Sequence, residues 1–544
     1  MSSPEESNNT ALSTWILYSV GFLGLGSLLF WSALTAYFSS DDFLHLSTVM
    51  KGGIPFMPTG TGRGFLRPVV GLDFWVEYRL WGTHPFGYHA TNVFLHIANS
   101  LLVVKLTTLL LPHTERSRTI SLASGLLFLS MACHAESVSW ISGRTDLIAA
   151  LFSLLTLCSI AQGIRSGSRY YLFGSLFLLA AALFAKESAF ALPFLMVATA
   201  LFLRISRRWR IDLRAWYATL AGVAVILAIY FAVRHVTVGA FVGGYGAHGH
   251  LRFHQDLLAQ AMSRFAWRAF LPPLPRDTSL FATHGRGIAD LFSATLVAVT
   301  LLWTWVAWRY PKRRFGYFLY VAFWLGLLPF INMRIQWTNT EGERFLYLAS
   351  IFAAMGAANL VCALSSKTWR RIALSAMIIV QGGMLRTATQ RWKTAGECVK
   401  DIVAGIQSTH PEGTVLFANK PDSYNGAMIF RTGLTEAIRH FGPAPNEQVV
   451  VEVLYATTLF QSDHVFEVRK ENQSPETFTI TAQDSSSVMV EEDRFDRIET
   501  LSGDERGYTF RLRDPLEHRE ILYYTYRGIQ SLNASPPIAD PKER

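Results

Sequence analysis

Cysteine is almost absent from this sequence, with four in 544 residues. Cys133, Cys158, Cys362 and Cys398 show no CxxC spacing, and Cys158 and Cys362 fall within apolar runs, which argues against a disulfide framework. Charge is also scarce, at 16% of residues, and the chain has no repeat of 20–50 residues and no low-complexity stretch. These shortages exclude an ordinary soluble domain. What takes their place is apolar: 50% of residues are hydrophobic and the mean hydropathy is +0.24, values that call for several spans of about twenty residues.

Eleven such runs are found, near 13–38, 89–111, 119–137, 146–163, 170–185, 189–203, 215–233, 288–308, 315–331, 345–364 and 371–387. The first is too long for a signal peptide and is flanked by Glu5 and Glu6, so it is expected to stay as an anchor. Basic residues occupy alternate loops: Arg116 and Arg118, Arg165 and Arg169, "RISRRWRIDLR" (204–214), "WRYPKRR" (308–314) and "SSKTWRR" (365–371). The positive-inside rule places these loops and a short N-terminus (1–12) in the cytoplasm. The same loops explain the net charge of +9, which leaves nucleic acid without a role. "FHQDLLAQAMSRFAWRAFLPPLP" (253–275) has Arg264 and Arg268 on one helical face and reads as an interfacial or re-entrant helix.

Beyond Trp392 the composition changes. Residues 401–544 hold 14 basic and 23 acidic residues, leaving 35 basic and 17 acidic for the rest. This acidic tail carries no span, so eleven crossings put it outside. "TVLFANK", "QVVVEVLYA", "HVFEVRK", "ETFTITA", "YTFRLR" and "EILYYTY" read as strands, with a helix around 425–441. The expected division is a transmembrane domain over 13–395, with a first outer loop at 39–88, and a soluble mixed α/β domain over 396–544.

Polar residues at membrane depth are costly, each charged centre by about 2.5–3.5 kcal/mol. Here they gather at the expected outer side. The first outer loop holds Asp41, Asp42, Asp73 and Glu77 with Arg63, Arg67 and Arg79. "HAESVSWISGRTD" brings His134, Glu136, Arg144 and Asp146, and "FAKES" brings Lys186 and Glu187. "NMRIQWTNTEGERFLYL" adds Arg334, Glu341, Glu343 and Arg344. Acids beside cations at a lipid interface suit group transfer from a lipid phosphate. A sugar phosphodiester donor releases a phosphate whose charge goes from one negative towards two, and fixed Arg or Lys donors stabilise that change. The acceptor hydroxyl needs a carboxylate base within reach.

At "HAESVSWISGRTDLIAALF" the chain resembles the membrane half of the transmembrane-and-TPR-repeat protein O-mannosyltransferases, members of the GT-C superfamily of polyprenyl-phosphate-sugar glycosyltransferases. The shared pattern is His134, Glu136, Val138, Gly143, Arg144 and Asp146. Further similar pieces are Asp41-Asp42, Arg67-Pro68, "TNVFLHIANSLLV" from Thr91, Ala185-Lys186-Glu187 and "ERFLYL" from Glu343. Met131-Ala132 departs from the family's His-Pro, and strands stand where the family has TPR helices.

The resemblance implies a GT-C type, polytopic α-helical membrane protein of about 11 transmembrane helices with a C-terminal non-cytoplasmic α/β domain. It implies an inverting hexosyltransferase, mannosyltransferase-like, that takes a monosaccharide from a polyprenyl-phosphate carrier. The acceptor would be a hydroxyl of a protein, as in O-mannosylation, or of a cell-envelope glycolipid. Asp41 or Asp42 would be the catalytic base, with Lys186, Arg344, Arg67 and Arg144 on the donor phosphate. Glu136 and His134 would position acceptor or base. The strand-rich tail points to a bacterial plasma (inner) membrane, with the tail in the periplasm.

Each assignment has an ordinary alternative. The aspartates would cap a helix, Glu136 would pair with Arg144, Lys186 with Glu187, and Arg344 with Glu343. No cofactor is required; Mg²⁺ or Mn²⁺ held by Asp41, Asp42 and Glu136 is the other option, although no compact acidic triplet is present. His248 and His250 in "AFVGGYGAHGH" lack a nearby carboxylate, and Asn472 and Asn533 lie in glycosylation sequons. Two rival readings are a transporter or flippase of lipid-linked saccharide, which predicts midplane charges and related halves, and a catalytically degenerate membrane scaffold.

Overall fold

A computed structural model describes residues 4–57, 64–207, 209–241, 255–273, 279–330, 333, 335–336, 338–409, 413–459, 466–470, 477–483, 488–491, 498–504, 506–512, 521–525 and 527–531. Arg63, Arg334, His248, His250 and the sequons at Asn472 and Asn533 lie outside the described residues. The helices are α1 (Pro4–Leu29), α2 (Trp31–Leu34), α3 (Asp41–Met50), α4 (Pro68–Trp81), α5 (Pro85–Leu110), α6 (Glu115–Ser130), α7 (Ala135–Ser139), α8 (Arg144–Ser166) and α9 (Arg169–Leu183). They continue with α10 (Leu192–Arg207), α11 (Leu213–Val238), α12 (Gln255–Arg268), α13 (Ser279–Arg309), α14 (Arg314–Leu327), α15 (Tyr347–Val361), α16 (Lys367–Ser408) and α17 (Leu434–His440). Two compact units result. The first comprises 1–34, 54–81 and 86–389; the second comprises 35–53, 82–85 and 390–544.

In the first unit, every one of the eleven apolar runs overlaps a helix. Among the described residues, six segments are long and apolar enough to cross a membrane: 85–110, 141–166, 187–206, 213–238, 343–361 and 367–408. A seventh is formed by 115–130 with 132–139 if its 54° bend is taken as one span. This is an integral membrane protein. Three apolar helices, 13–29, 169–183 and 314–330, are shorter; fifteen residues rise only about 22 Å against a hydrocarbon core of about 30 Å. The expectation of about 11 counts these three, and α13, as spans as well. At 14 residues, α12 is too short to cross. Phe22, Phe30, Val104, Phe128, Leu157 and Met355 belong to one buried apolar cluster, whereas Phe177, Trp308 and Ile379 turn outward, as lipid-facing side chains do.

In the second unit, β1 (Thr414–Tyr424) runs through the middle of a sheet. It pairs in parallel with β3 (Val450–Leu459) and β9 (Ile521–Thr525) and antiparallel with β2 (Ala427–Met428). β6 (Val488–Glu491) and β10 (Gly528–Ser531) close the edges antiparallel, giving the order β10-β9-β1-β3-β6. A separate antiparallel sheet has the order β4-β5-β8-β7, from β4 (Phe466–Lys470), β5 (Thr477–Ala482), β7 (Ile498–Asp504) and β8 (Gly507–Leu512). β1 is buried almost continuously, as a central parallel strand should be. The helix expected over 425–441 shrinks to α17. Gly426 (φ 89°) and Gly433 (φ 80°) take left-handed backbone there and keep 425–433, which includes β2, out of the helix.

Candidate functional site

The pattern that suggested chemistry lies where a helix is broken. After α6, Met131 is extended (φ −61°, ψ 129°), a 3₁₀ turn spans Ala132–His134, α7 follows, and Trp140 is extended again before a second 3₁₀ turn at Ile141–Gly143. Broken backbone inside an apolar unit must find partners for its N–H and C=O groups. Asn92 of α5 donates its amide to the carbonyls of Val138 (3.2 Å) and Trp140 (2.9 Å). Arg144 Nε donates to the Ile141 carbonyl at 3.1 Å, and the Gln381 side chain accepts the Ala132 N–H at 3.0 Å. Gly143 is required by close approach: a Cβ there would stand 2.6 Å from the Ser137 carbonyl oxygen.

His134 is fully buried, its Nε2 sharing a 2.7 Å hydrogen bond with Ser350 Oγ, and it packs against Phe128, Tyr347 and His96. His96 Nε2 faces the Leu129 carbonyl and must donate to it, so Nδ1 accepts from Tyr347 O–H at 2.7 Å. Asn99 donates to the same Tyr347 oxygen at 3.2 Å. This network fixes the start of α15, three residues beyond Arg344.

Charges from distant segments then meet in pairs, none of which is the sequence-adjacent pairing. Glu136 accepts Arg344 Nη1 at 2.5 Å and the Arg344 backbone N–H at 2.9 Å. Arg144 donates to Asp73 (2.7 Å), to Glu77 and to the Tyr88 carbonyl (3.0 Å). Lys186 Nζ lies 2.5 Å from Asp146, with both side chains buried. Arg67 grips Glu187 through Nε (3.0 Å) and Nη2 (2.7 Å), and Arg234 reaches the other oxygen of Glu187 at 3.3 Å. Arg268 pairs with Glu343. The alternatives Glu136–Arg144, Lys186–Glu187 and Glu343–Arg344 therefore give way to contacts across elements.

These pairs differ in what they can do. Arg144 is fully buried and four of its donor contacts are to protein, so it acts as a clamp on α4. Burial pushes the Glu77 carboxyl up, while the Arg144 guanidinium beside it pulls the other way. Arg344 is the most accessible of the four expected phosphate ligands, with its side chain 15% exposed and its guanidinium 5.0 Å from the centres of the Trp140 and Phe345 rings. Arg234 was missed in the sequence, having no motif around it, and Arg268 was read with Arg264 only as one face of an interfacial helix, not as a partner for Glu343.

Asp41 and Asp42 belong to the second unit, in the first turn of α3. Asp42 is 1% exposed and its Oδ2 accepts the Ser39 N–H at 3.0 Å, folding back on the approach to the helix. Asp41 is partly exposed, and its Oδ1 accepts the Thr432 hydroxyl.

No family model matches the chain. Human protein O-mannosyl-transferase TMTC4 is 32% identical over 148 residues, 24% of this chain and 20% of that protein. Drosophila melanogaster protein O-mannosyl-transferase Tmtc1 is 35% identical over 137 residues, 25% of this chain and 15% of that protein. Homologues of this chain are TMTC protein O-mannosyl-transferases. The chain spans about a fifth or less of the length of these TMTC relatives. Among solved structures, apo ArnT from Cupriavidus metallidurans superposes with a TM-score of 0.44 at 12% identity, covering 92% of this chain and 98% of that one.

Proposed function

We propose that this protein is a membrane glycosyltransferase that moves a monosaccharide from a polyprenyl-phosphate carrier to a hydroxyl acceptor, on a protein or an envelope glycolipid, with inversion. The observation that carries the reading is the pairing of carboxylates and cations from six remote segments inside the apolar unit. The TMTC homology of a quarter of the chain supports it. In the step, a carboxylate of the Asp41-Asp42 pair takes the acceptor O–H proton and the acceptor oxygen bonds to the anomeric carbon. The bond from that carbon to the phosphate oxygen breaks, and polyprenyl phosphate leaves with one more negative charge.

Arg344 and Lys186 receive that charge, with Arg67 nearby. Glu136 orients Arg344, His134 steadies the start of α15 through Ser350, and Arg144 holds α4 in place. The chemistry draws on side chains alone, so EDTA should leave turnover unchanged; loss of turnover restored by Mg²⁺ or Mn²⁺ would bring the metal alternative forward. The reading places the protein in a bacterial inner membrane, N-terminus inside and C-terminal domain outside.

The test is release of polyprenyl phosphate by the purified full chain offered a panel of polyprenyl-phosphate hexoses with acceptor. Asp41→Asn and Asp42→Asn are run beside it. Undiminished release in both variants removes the proposed base. No release with any donor, together with movement of lipid-linked sugar across proteoliposomes, would favour the flippase reading.

A further inference from the structure

One polar contact in the second unit has no part in the mechanism so far. Ser40, just before α3, has φ 51° and ψ −120°, a backbone state that a non-glycine residue rarely adopts and that persists only where neighbours enforce it. The enforcers are residues 429–433. Ser40 N–H donates to the Ile429 carbonyl at 2.9 Å, and Thr432 N–H donates to Ser40 Oγ at 3.3 Å. Gly433, at φ 80°, lies so close that a Cβ would sit 2.5 Å from the Ser40 carbonyl oxygen. Phe43 stacks on Phe430 with ring centres 5.8 Å apart and meets Phe441 edge-on at 5.0 Å.

The hydrogens in this cluster can be assigned. A carboxylate only accepts, so the Thr432 hydroxyl hydrogen points to Asp41 Oδ1. The 3.4 Å contact between Ser40 Oγ and Thr432 Oγ1 must then have Ser40 as donor. Two hydroxyls thus form a directed chain, Ser40 to Thr432 to Asp41. Asp42 is spent on the Ser39 N–H and is buried, which leaves Asp41 as the carboxylate able to meet an acceptor.

We infer that Thr432 is a positioning residue for Asp41, so that the strand-rich C-terminal domain supplies part of the catalytic apparatus. This rests on the glycosyltransferase reading above. One donor on Oδ1 fixes the carboxylate plane and presents Oδ2 to the acceptor hydroxyl. Removing the donor leaves Asp41 in place but free to rotate, which costs rate and not donor affinity.

The experiment compares Thr432→Val and Thr432→Ser with the wild type, as full chains in nanodiscs, by steady-state release of polyprenyl phosphate and by hydrogen exchange of residues 38–50. Thr432→Val should lower kcat on the order of 10²-fold, the scale of a misplaced catalytic group, with donor KM within about twofold. Thr432→Ser should recover most of that loss. Exchange in 38–46 should quicken in Thr432→Val while β1 and β3 stay protected. An active wild type with unchanged kcat in Thr432→Val, a loss confined to KM, failure of Thr432→Ser to recover, or unaltered exchange in 38–46 each overturns the inference alone. Absence of release from the wild type removes the enzymatic reading, and this role with it.

Discussion

Arg144 and Arg344 were expected to do the same job and are built differently. Arg144 neutralises Asp73 and Glu77 and binds two carbonyls. Arg144→Met would strand two carboxylates, and breaking one side of a buried pair costs about 3–5 kcal/mol. A clear fall in thermal unfolding temperature in detergent is expected. Arg144→Lys should recover only part, because a single ammonium cannot reproduce the guanidinium fork. Arg344→Lys keeps a cation opposite Glu136, so the fold should hold. Turnover should still drop on the order of 10²-fold, the scale of losing one fixed donor to a developing negative charge. Equal activity in Arg344→Lys and wild type would remove Arg344 from the phosphate site.

The broken segment from α6 to α8 depends on a few exact fits. Asn92→Leu takes the side-chain donor from the Val138 carbonyl, at about 1–3 kcal/mol for an unsatisfied group, and leaves the Trp140 carbonyl with the Gly143 N–H alone. Gly143→Ala drives a methyl into the Ser137 carbonyl. Both should reduce the yield of monodisperse protein before any effect on chemistry is measured. Elements of this kind were legible to different degrees. Apolar runs located the helices because hydropathy is a property of the segment itself. The motif around Glu136 was legible through resemblance, and so were Lys186 and Arg344. Their partners were not. Neighbours such as Lys186 and Glu187 need not face each other, and choice of partner is settled by tertiary packing, as Lys186 with Asp146 illustrates. Asn92 stood in plain view within "TNVFLH", yet nothing local says that its amide serves carbonyls 46 and 48 residues away. Thr432 was illegible for the same reason at greater range.

At the scale of the whole chain, the second unit joins 35–53 and 82–85 with 390–544, so it is larger than its continuous C-terminal sequence. A chain ending after α16 should retain every cation of the first unit and yet release no polyprenyl phosphate. Its segment 35–53 should be cut faster by protease than in the intact protein. Gly433→Ala, which combines a forbidden φ with a Cβ pressed on Ser40, should mimic that truncation in part, at more than about 1 kcal/mol. The Ser40–Thr432 contact joins residues 392 positions apart. During synthesis at about 5–20 residues per second, the N-terminal half of that contact waits roughly 20–80 s for the other to emerge. A ribosome-bound intermediate would therefore carry its membrane helices with the acidic turn still unclasped, and a nascent chain that stalls early would be inert towards lipid-linked sugar.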